Sequence, residues 1–380
     1  MPCCHRIAAL SLALAPWCAI AAPAYQLSLL PSLGGSYGTA ADINNAGQIV
    51  GYSNLAGDLE GHAVLWKGAT APVDLAPGYG ESTASRINDR GQIIGYPVVF
   101  YPEGLPGTYL WQQAGAKPTL LAPLSSELSG VALGINNAGQ MAGVSQDSNF
   151  GQYATTWNPP RQLDAIGTAA ADINNAGAIT GSVRDDDGRA HAAVWQDGQR
   201  TILADLPGST GTGGSRINDA DQVAGTTLFP LFGSLAHLQA TLWNGSQPSA
   251  LATPAGGDST ANDLNDKGEV VGWTASKLDR SDQVATLWSG TTAIDLNSFL
   301  SLSQRSDGWK LLQATAINDL GSIVGSAVNP LTGQTTGFLL AVAVVPEAET
   351  GLMLLLGLSG IGVLARRRKA TQQALSPAAG

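Results

Sequence analysis

One short phrase recurs seven times along this chain of 380 residues. Each copy has an apolar residue, Asn, two variable residues, a Gly (an Asp in one copy), one residue that is usually polar, and a short apolar run ending in Gly. The copies lie 38 to 53 residues apart, so one supersecondary unit is repeated. They start at Ile43, Ile87, Ile135, Ile173, Ile217, Leu264 and Ile317.

The first copy indicates what the repeated unit is. Residues 39–44 and 48–53 predict two strands joined by a tight turn, and residues 62–66 and 73–76 predict two more. Four strands in about 45 residues is the size of a propeller blade, and no copy contains a helix-length run of 3.6 periodicity. The sequence therefore predicts an all-β fold, a seven-bladed β-propeller of four-stranded antiparallel blades, over residues 25–344.

The Asn-x-x-Gly part of the phrase predicts a hairpin turn. Its last residue needs a positive φ, which glycine adopts without steric cost. Asp221 replaces that Gly in the fifth copy, and Asp is among the residues that tolerate this conformation. We expect each Asn to cap its own turn; a ligand-binding role for the repeated Asn is the alternative.

An aromatic residue ends the predicted third strand of each repeat. We expect these rings to pack in the core between neighbouring sheets, with stacking on sugars as the alternative. They are Trp66, Trp111, Trp157, Trp195, Trp243, Trp288 and Phe338.

The seventh repeat lacks a fourth strand, because residues 337–344 run directly into the C-terminal segment. Residues 25–30 offer a spare strand ahead of the first repeat. We predict that this N-terminal strand completes the last blade and closes the ring, which also removes an exposed sheet edge.

Residues 1–24 have the order of a secretory signal peptide: a basic start, an apolar stretch and small residues at the end. A buried helix is the alternative, which Pro16 disfavours. Cys3, Cys4 and Cys18 all lie in this segment, so the exported chain is expected to lack disulfides and thiol chemistry.

The C-terminal residues 345–380 combine three elements of a targeting signal. Val345, Pro346 and Glu347 precede an apolar segment, residues 351–365, which is just long enough to span a membrane. A basic cluster follows, namely Arg366, Arg367 and Arg368, and it favours a cytoplasmic end.

This arrangement resembles the PEP-CTERM sorting signal. The resemblance implies a Gram-negative bacterium, an exosortase as processing partner, an inner-membrane contact through the C-terminal segment, and location in the cell envelope, at the surface or in the extracellular matrix. A plain membrane anchor is the alternative.

The charge balance excludes one class of partner. The chain has 29 Asp and Glu against 19 Lys and Arg, a net charge of −10, and no basic run outside the C-terminal cluster. Nucleic-acid binding requires Lys and Arg to neutralise phosphates, so we expect none.

Antiparallel blades place the short Asn turns on one face and the variable connections on the other, which we call the variable-loop face. Loops on a rigid scaffold commonly carry function, so this face is the candidate binding surface. Anchoring of the loop aromatics onto the blades is the alternative. The candidate residues are Phe100, Tyr101, Phe150, Asp185, Asp187, Phe229, Phe232 and Trp309.

We find no catalytic or metal-binding motif. His62, His191 and His237 lie near third strands and have no carboxylate partner at metal-ligand spacing, which favours structural roles. Asp185, Asp186 and Asp187 offer oxygen ligands for calcium, but an acidic hairpin tip fits their spacing better. We therefore expect no cofactor and no enzymatic activity.

The repeats resemble the HAF family of extracellular repeats, which is named after a His-Ala-Phe stretch before the closing aromatic. Residues 62–66 read His-Ala-Val-Leu-Trp and residues 191–195 read His-Ala-Ala-Val-Trp. The resemblance implies an exported, surface-associated protein and adds no settled activity.

Three functional hypotheses remain open. The first is a non-enzymatic protein that binds polysaccharide or a surface protein through its variable-loop face. The second is a secreted polysaccharide lyase or hydrolase that uses this face or the central channel, where Asp42, Asp172 and Asp263 would ring the axis. The third is a passive structural or adhesive component of the envelope.

Overall fold

The computed structural model describes residues 25–98, 107–125, 129–231, 236–254, 257–277, 279–290 and 292–343, and Tyr25–Val342 forms one unit. The predicted signal peptide and the predicted sorting region, with its spanning segment at 351–365, lie outside these ranges. Within them, no helix is long and apolar enough to cross a membrane.

Strands make up nearly all regular structure in the described residues. The first strand is β1 (Tyr25–Leu29), and the strands of repeats 1 to 3 are β2 (Gly34–Ile43), β3 (Gln48–Leu55), β4 (Gly61–Lys67), β5 (Val73–Asp74), β6 (Ser82–Ile87), β7 (Ile93–Pro97), β8 (Thr108–Trp111), β9 (Thr119–Leu121), β10 (Ser129–Ile135), β11 (Met141–Gln146), β12 (Gln152–Trp157) and β13 (Arg161–Gln162). Those of repeats 4 and 5 are β14 (Thr168–Ile173), β15 (Ile179–Arg184), β16 (Ala190–Gln196), β17 (Gln199–Ile202), β18 (Gly211–Ile217), β19 (Val223–Pro230), β20 (Ala236–Asn244) and β21 (Gln247–Ala250). Those of repeats 6 and 7 are β22 (Asp258–Leu264), β23 (Val270–Ala275), β24 (Val284–Ser289), β25 (Thr292–Asp295), β26 (Lys310–Ile317), β27 (Ile323–Asn329) and β28 (Gln334–Val342). A 3-10 helix (Leu296–Phe299) and the helix α1 (Leu302–Ser306) separate β25 from β26.

The sheets confirm an all-β propeller with four-stranded blades and correct the predicted blade count. The described residues contain five separate four-stranded sheets, formed by β6–β9, β10–β13, β14–β17, β18–β21 and β22–β25. The other eight strands form one continuous sheet. The prediction of seven separate blades is therefore wrong, because the structure has five.

The eight-stranded sheet arises where the two ends of the unit meet. Only four residues connect β1 to β2, so β2 starts beside β28, to which β1 is already paired. A single parallel bridge between Tyr37 and Thr335 then joins β2 to β28 and merges the first and last repeats.

The predicted pairing of the N-terminal strand is confirmed. β1 runs antiparallel to β28, with Tyr25 opposite Val342 and Leu29 opposite Phe338. This pairing covers the edge of β28 that repeat 7 would otherwise leave without a fourth strand.

The turn chemistry follows the prediction. Asn44 caps its own turn, since its Oδ1 accepts the backbone N–H groups of Ala46 and Gln48 at 3.1 and 2.9 Å. Asp221 has a φ of 57°, and the glycines at this position in the other copies have φ between 72° and 89°. The aromatic residues are core residues as predicted, because none of the seven is more than 5% exposed.

A β-bulge interrupts the first strand of every repeat at the same place, two residues before the apolar start of the phrase. In β2 the register shifts between Ala40 and Asp42. The other shifts lie between Ala84/Arg86, Ala132/Gly134, Ala170/Asp172, Gly214/Arg216, Ala261/Asp263 and Ala314/Ala316. The bulge lets two consecutive residues face the axis. In β2 these residues are Ala41 and Asp42, which both line axial pockets.

The bulge explains why each phrase ends in Gly. Gly181 lies opposite Ala170, and a Cβ at Gly181 would approach the carbonyl oxygen of Ala169 to 2.0 Å. The equivalent glycines meet the same obstacle at 1.9 to 2.1 Å, so any side chain there would push the two strands apart.

Candidate functional site

Seven buried asparagines form a closed ring of hydrogen bonds at the turn end of the channel. Each Nδ2 donates to the backbone carbonyl of the corresponding Asn in the next repeat, over 2.8 to 3.2 Å. The ring closes when Asn318 donates to Asn44 at 3.0 Å. We call this the inner ring; its members are Asn44, Asn88, Asn136, Asn174, Asn218, Asn265 and Asn318.

A second closed circle lies one residue further along, and we call it the outer ring. Each backbone N–H donates to the side-chain Oδ1 of the next repeat at 2.8 to 2.9 Å. Its members are Asn45, Asp89, Asn137, Asn175, Asp219, Asp266 and Asp319. These two rings bind all seven repeats to one another, so the repeated Asn fixes the axis as well as capping its turn.

Three aspartates line the channel just inside the inner ring, as the second functional hypothesis predicted. Asp42, Asp172 and Asp263 border one pocket of about 170 Å³. One carboxylate oxygen of each accepts a backbone N–H of the following repeat, from Ile87 at 2.8 Å, Ile217 at 3.2 Å and Ile317 at 2.9 Å respectively.

Burial changes the ionisation of these carboxyl groups. It raises the pKa of Asp42 to about 6, of Asp172 to about 7 and of Asp263 to about 8, because removal from water disfavours the charged form. The charge of Asp42 further raises the pKa of Asp263, and the Arg86 guanidinium opposes the rise at all three carboxyl groups.

Two arginines occupy the equivalent position in repeats 2 and 5. Arg86 and Arg216 border both the narrow aspartate pocket and a wider pocket above it. The Nε of Arg216 lies 3.6 Å from Oδ1 of Asp263, and both side chains are 14% exposed.

The wider pocket, which we call the axial cup, has a volume of about 610 Å³. It lies toward the variable-loop face, because it is bordered by Tyr37 and Thr39 near the start of β2, whereas the Asn turn follows the end of β2. Apart from Ala40, Ala41, Ala84 and Leu133, its wall consists of polar or tyrosine side chains. These are Tyr37, Thr39, Thr83, Ser85, Arg86, Tyr96, Ser215, Arg216, Asn262, Gln313 and Thr315.

None of the predicted binding residues that the structure describes borders the cup. Phe150 is 68% exposed, and the Phe229 ring packs 6.2 Å from the His237 ring. Trp309 borders a separate pocket of about 390 Å³ with Arg305 and Lys310. Phe100, Tyr101 and Phe232, and the sorting residues Val345, Pro346, Glu347 and Arg366 to Arg368, lie outside the described residues.

Each of the three histidines within the described ranges has a carboxylate partner, which the sequence did not predict. His62 Nδ1 lies 2.9 Å from Asp74, and His237 Nδ1 lies 2.7 Å from Asp258. In each case the Asp lies in or beyond a later strand, so sequence spacing did not reveal the pair.

The acidic hairpin tip is tied to the protein through Asp185. Its Oδ1 accepts the backbone N–H groups of Asp187 and Arg189 at 3.1 and 2.8 Å, and its Oδ2 lies 3.0 Å from Nε2 of His191. One oxygen of Asp185 is therefore engaged in the turn and the other with His191 of β16. In the described ranges no cluster of three or more His, Cys, Asp or Glu side chains is arranged to hold a metal ion.

The sequence analysis did not predict the cup, because only the aspartates were considered at the position directly before Ile/Leu-Asn. The same position in repeats 2 and 5 holds Arg86 and Arg216, and these arginines could have been found in the sequence. The bulge also turns the preceding residues Ser85 and Ser215 toward the cup, and its signal in the sequence is the Gly that ends each phrase.

Comparison with known proteins identifies the C-terminal sorting motif and the fold. The model of the PEP-CTERM protein-sorting motif matches residues 344–369. This motif indicates export and sorting to the cell envelope or surface, and exosortase machinery recognises it. No curated protein matches the chain at a significant level.

Among solved structures, the chain is similar to the β-propeller domain of the trilobed protease of Pyrococcus furiosus, with a TM-score of 0.54 and 10% identity over 80% of this chain and 95% of that one. That likeness shows the β-propeller fold alone. A puromycin-hydrolysing peptidase of Mycobacterium tuberculosis has a TM-score of 0.45 and 13% identity over 82% of this chain, which spans about half (52%) of the peptidase. A lectin of Aleuria aurantia in complex with α-methyl-L-fucoside has a TM-score of 0.39 and 13% identity, over 71% of this chain and 94% of the lectin.

Proposed function

We propose that this exported protein is a non-enzymatic binding module that holds a saccharide chain of the cell surface or matrix in its axial cup. Its repeats, which resemble the HAF family, would supply the scaffold. The exosortase that recognises its tail would act as its processing partner.

The lining of the cup supports this proposal. A cavity of about 610 Å³ lies in the size range of small-ligand sites, and it is concave where a flat protein partner would find little contact. Threonine and serine hydroxyl groups, the Asn262 and Gln313 amides and the Tyr37 and Tyr96 rings offer the hydrogen bonds and apolar faces that sugars use.

The test places a bulky residue in the cup and compares it with a matched change on the opposite face. Ala41 lines the cup, whereas Ala46 is exposed in the Asn turn. Screening the purified protein on a glycan array should reveal binding that Ala41→Trp abolishes and Ala46→Trp preserves, with both variants unfolding near the wild-type midpoint. Binding lost in Ala46→Trp alone, or no glycan bound at all, would overturn the proposal.

A polysaccharide lyase or hydrolase is the second candidate, because three carboxyl groups with pKa values near neutrality converge in the channel. They border the narrow pocket beneath the arginines rather than the cup, and each is engaged with a backbone N–H. These contacts favour a structural role and therefore the binding function.

The enzymatic alternative has its own test. Incubation with acidic and neutral polysaccharides should give no new reducing or unsaturated ends if the protein only binds. Turnover that disappears in Asp172→Asn, but persists in the variant Asp186→Asn of the hairpin tip, would establish the enzyme instead.

A further inference from the structure

The floor of the axial cup is chemically unlike its wall. The wall is formed mainly by uncharged side chains, whereas Arg86 and Arg216 lie where the cup meets the narrow aspartate pocket. A ligand that fills the cup therefore meets two guanidinium groups at its deepest point.

These guanidinium groups retain unused donors. Within the described part of the chain, Arg86 Nη1 donates to the carbonyl of Ser85 and Arg216 Nη1 donates to that of Ser215 at 2.6 Å. The Nε of Arg86 is enclosed and has no hydrogen-bond partner, and the Nε of Arg216 is 3.6 Å from Asp263, beyond hydrogen-bond length. The enclosed Nε of Arg86 cannot reach a ligand, but an arginine has five N–H donors, and the Nη2 group of each arginine has no hydrogen-bond partner among the described residues.

Burial weakens the negative charge of the carboxyl groups nearest the two arginines. Burial raises the pKa of Asp172 to about 7 and of Asp263 to about 8, so a large part of both is protonated at pH 7, while Asp42, at about 6, is mostly ionised. The outer-ring carboxylates of Asp89, Asp219, Asp266 and Asp319 border only the narrow pocket, on its turn side. Among the described residues that line the cup itself, Arg86 and Arg216 are the charged ones, so a ligand in the cup meets positive charge first.

We propose that the cup is selective for an anionic saccharide, one whose carboxylate or sulfate group enters first and is bound by Arg86 and Arg216. Arginine pairs with such groups through two parallel hydrogen bonds, which provides geometry as well as charge. This inference rests on the proposed saccharide-binding function and narrows its ligand class.

The experiment compares oligomers matched in length: oligogalacturonate, a sulfated galactan oligomer and neutral oligogalactose. Calorimetric titration of the purified protein at pH 6.5 should show binding of one or both anionic oligomers, at least about 10-fold tighter than the neutral one. Arg86→Gln and Arg216→Gln should each weaken the anionic binding by about 10- to 100-fold, the range expected when a charged hydrogen bond is lost.

Two further variants separate recognition from folding. Arg86→Lys keeps the charge and loses the paired geometry, so it should weaken binding less than Arg86→Gln does. Arg90→Gln, an exposed change in the adjacent turn, should leave binding unchanged. Comparison of the anionic oligomers then shows which anion the site takes.

Binding should also weaken as the pH rises from 6 to 9, because Asp172 and Asp263 become charged beside the arginines. The other charged groups facing this region are Asp42 and the outer-ring residues Asp89, Asp219, Asp266 and Asp319. Of these, Asp42 has a pKa raised to about 6, so its remaining ionisation acts in the same direction, and burial raises the pKa of Asp266 as well.

The possible results separate the two proposals. Neutral oligomers that bind as tightly as anionic ones, with no effect of the arginine substitutions, would overturn the anionic selectivity and leave the saccharide function standing. A complete lack of binding to all three oligomers and to the glycan array would overturn both.

Discussion

The two ends of the axial channel use the same seven repeats in opposite ways. At the turn end, the inner ring has the same residue, Asn, in every repeat and makes the same contact seven times. Two residues earlier in the sequence, toward the cup, the corresponding positions differ: Asp42, Arg86, Gly134, Asp172, Arg216, Asp263 and Ala316.

This difference distinguishes the residues that hold the repeats together from the residues that line the candidate binding site. A side chain that must close a ring of hydrogen bonds cannot vary without leaving a buried group unpaired. The channel position is less constrained: Asp42, Asp172 and Asp263 each accept one N–H of the next repeat, but other repeats have Gly or Ala at this position and make no such contact. The repeats therefore diverge there, and charge accumulates at particular points. The repeated phrase therefore consists of residues that build the scaffold, and the position just before it holds residues of the candidate site.

The largest effect should come from breaking the inner ring. Asn218 donates to Asn265 at 3.0 Å and accepts from Ala220 and Gln222 at 3.1 and 2.8 Å. Asn218→Ala leaves the buried carbonyl of Asn265 and two partly buried N–H groups unpaired, and it should lower the free energy of unfolding by about 2–4 kcal/mol, measured by urea denaturation. The exposed Asn149→Ala should change it by less than about 0.5 kcal/mol. Equal effects of the two substitutions would contradict the scaffold role of the ring.

A smaller effect should come from the channel carboxylates. Asp263 has a folded-state pKa of about 8 against an ordinary value of 3.8, so the folded state binds more protons between these values. Stability should therefore fall as the pH rises from about 4 to about 8.

Asp263→Asn removes this titration and can still accept the N–H of Ile317. The variant should gain about 1–3 kcal/mol relative to wild type between pH 5 and pH 9, measured as the pH dependence of the urea midpoint. Asp279→Asn is the control, because the pKa of that exposed carboxyl is lowered by hydrogen bonds from Ser281 and its curve should parallel wild type above pH 5. A flat difference for Asp263→Asn would show that the carboxyl is ionised in the channel throughout.

The smallest effect concerns the outer loops of the variable-loop face. Phe150 is 68% exposed and has a φ of 63°, a conformation that costs a non-glycine residue energy. Phe150→Gly should leave stability unchanged or raise it by up to about 1 kcal/mol, and it should leave glycan binding unchanged because Phe150 lies outside the cup. Ser148→Gly in the same loop serves as the matched change. Loss of binding in Phe150→Gly alone would move the site from the cup to the loops.

Much of the scaffold could be predicted from local sequence. The turn glycines, Asp221, the buried Trp residues and the pairing of residues 25–30 follow from turn chemistry, burial and the missing last strand. The number of separate sheets could not be predicted, because it depends on one bridge between Tyr37 and Thr335, which are distant in sequence.

The candidate site was harder to predict, for a physical reason. A cup on the axis takes one or two side chains from each of several repeats, and a bulge decides which residues face inward. Large loop aromatics such as Phe150 were selected as candidate binding residues from the sequence, whereas short side chains such as Ser85 and Ser215 were not. The convergence of Asp42, Asp172 and Asp263 was predicted, because those residues share one register position.

The most direct test of the account is a crystal structure of the protein with a bound anionic oligosaccharide. The account predicts ligand density inside the axial cup, with an acidic group within hydrogen-bond distance of Arg86 or Arg216 and sugar rings near Tyr37 or Tyr96. Density confined to the separate pocket at Trp309, or to the outer loops, with an empty cup, would contradict it.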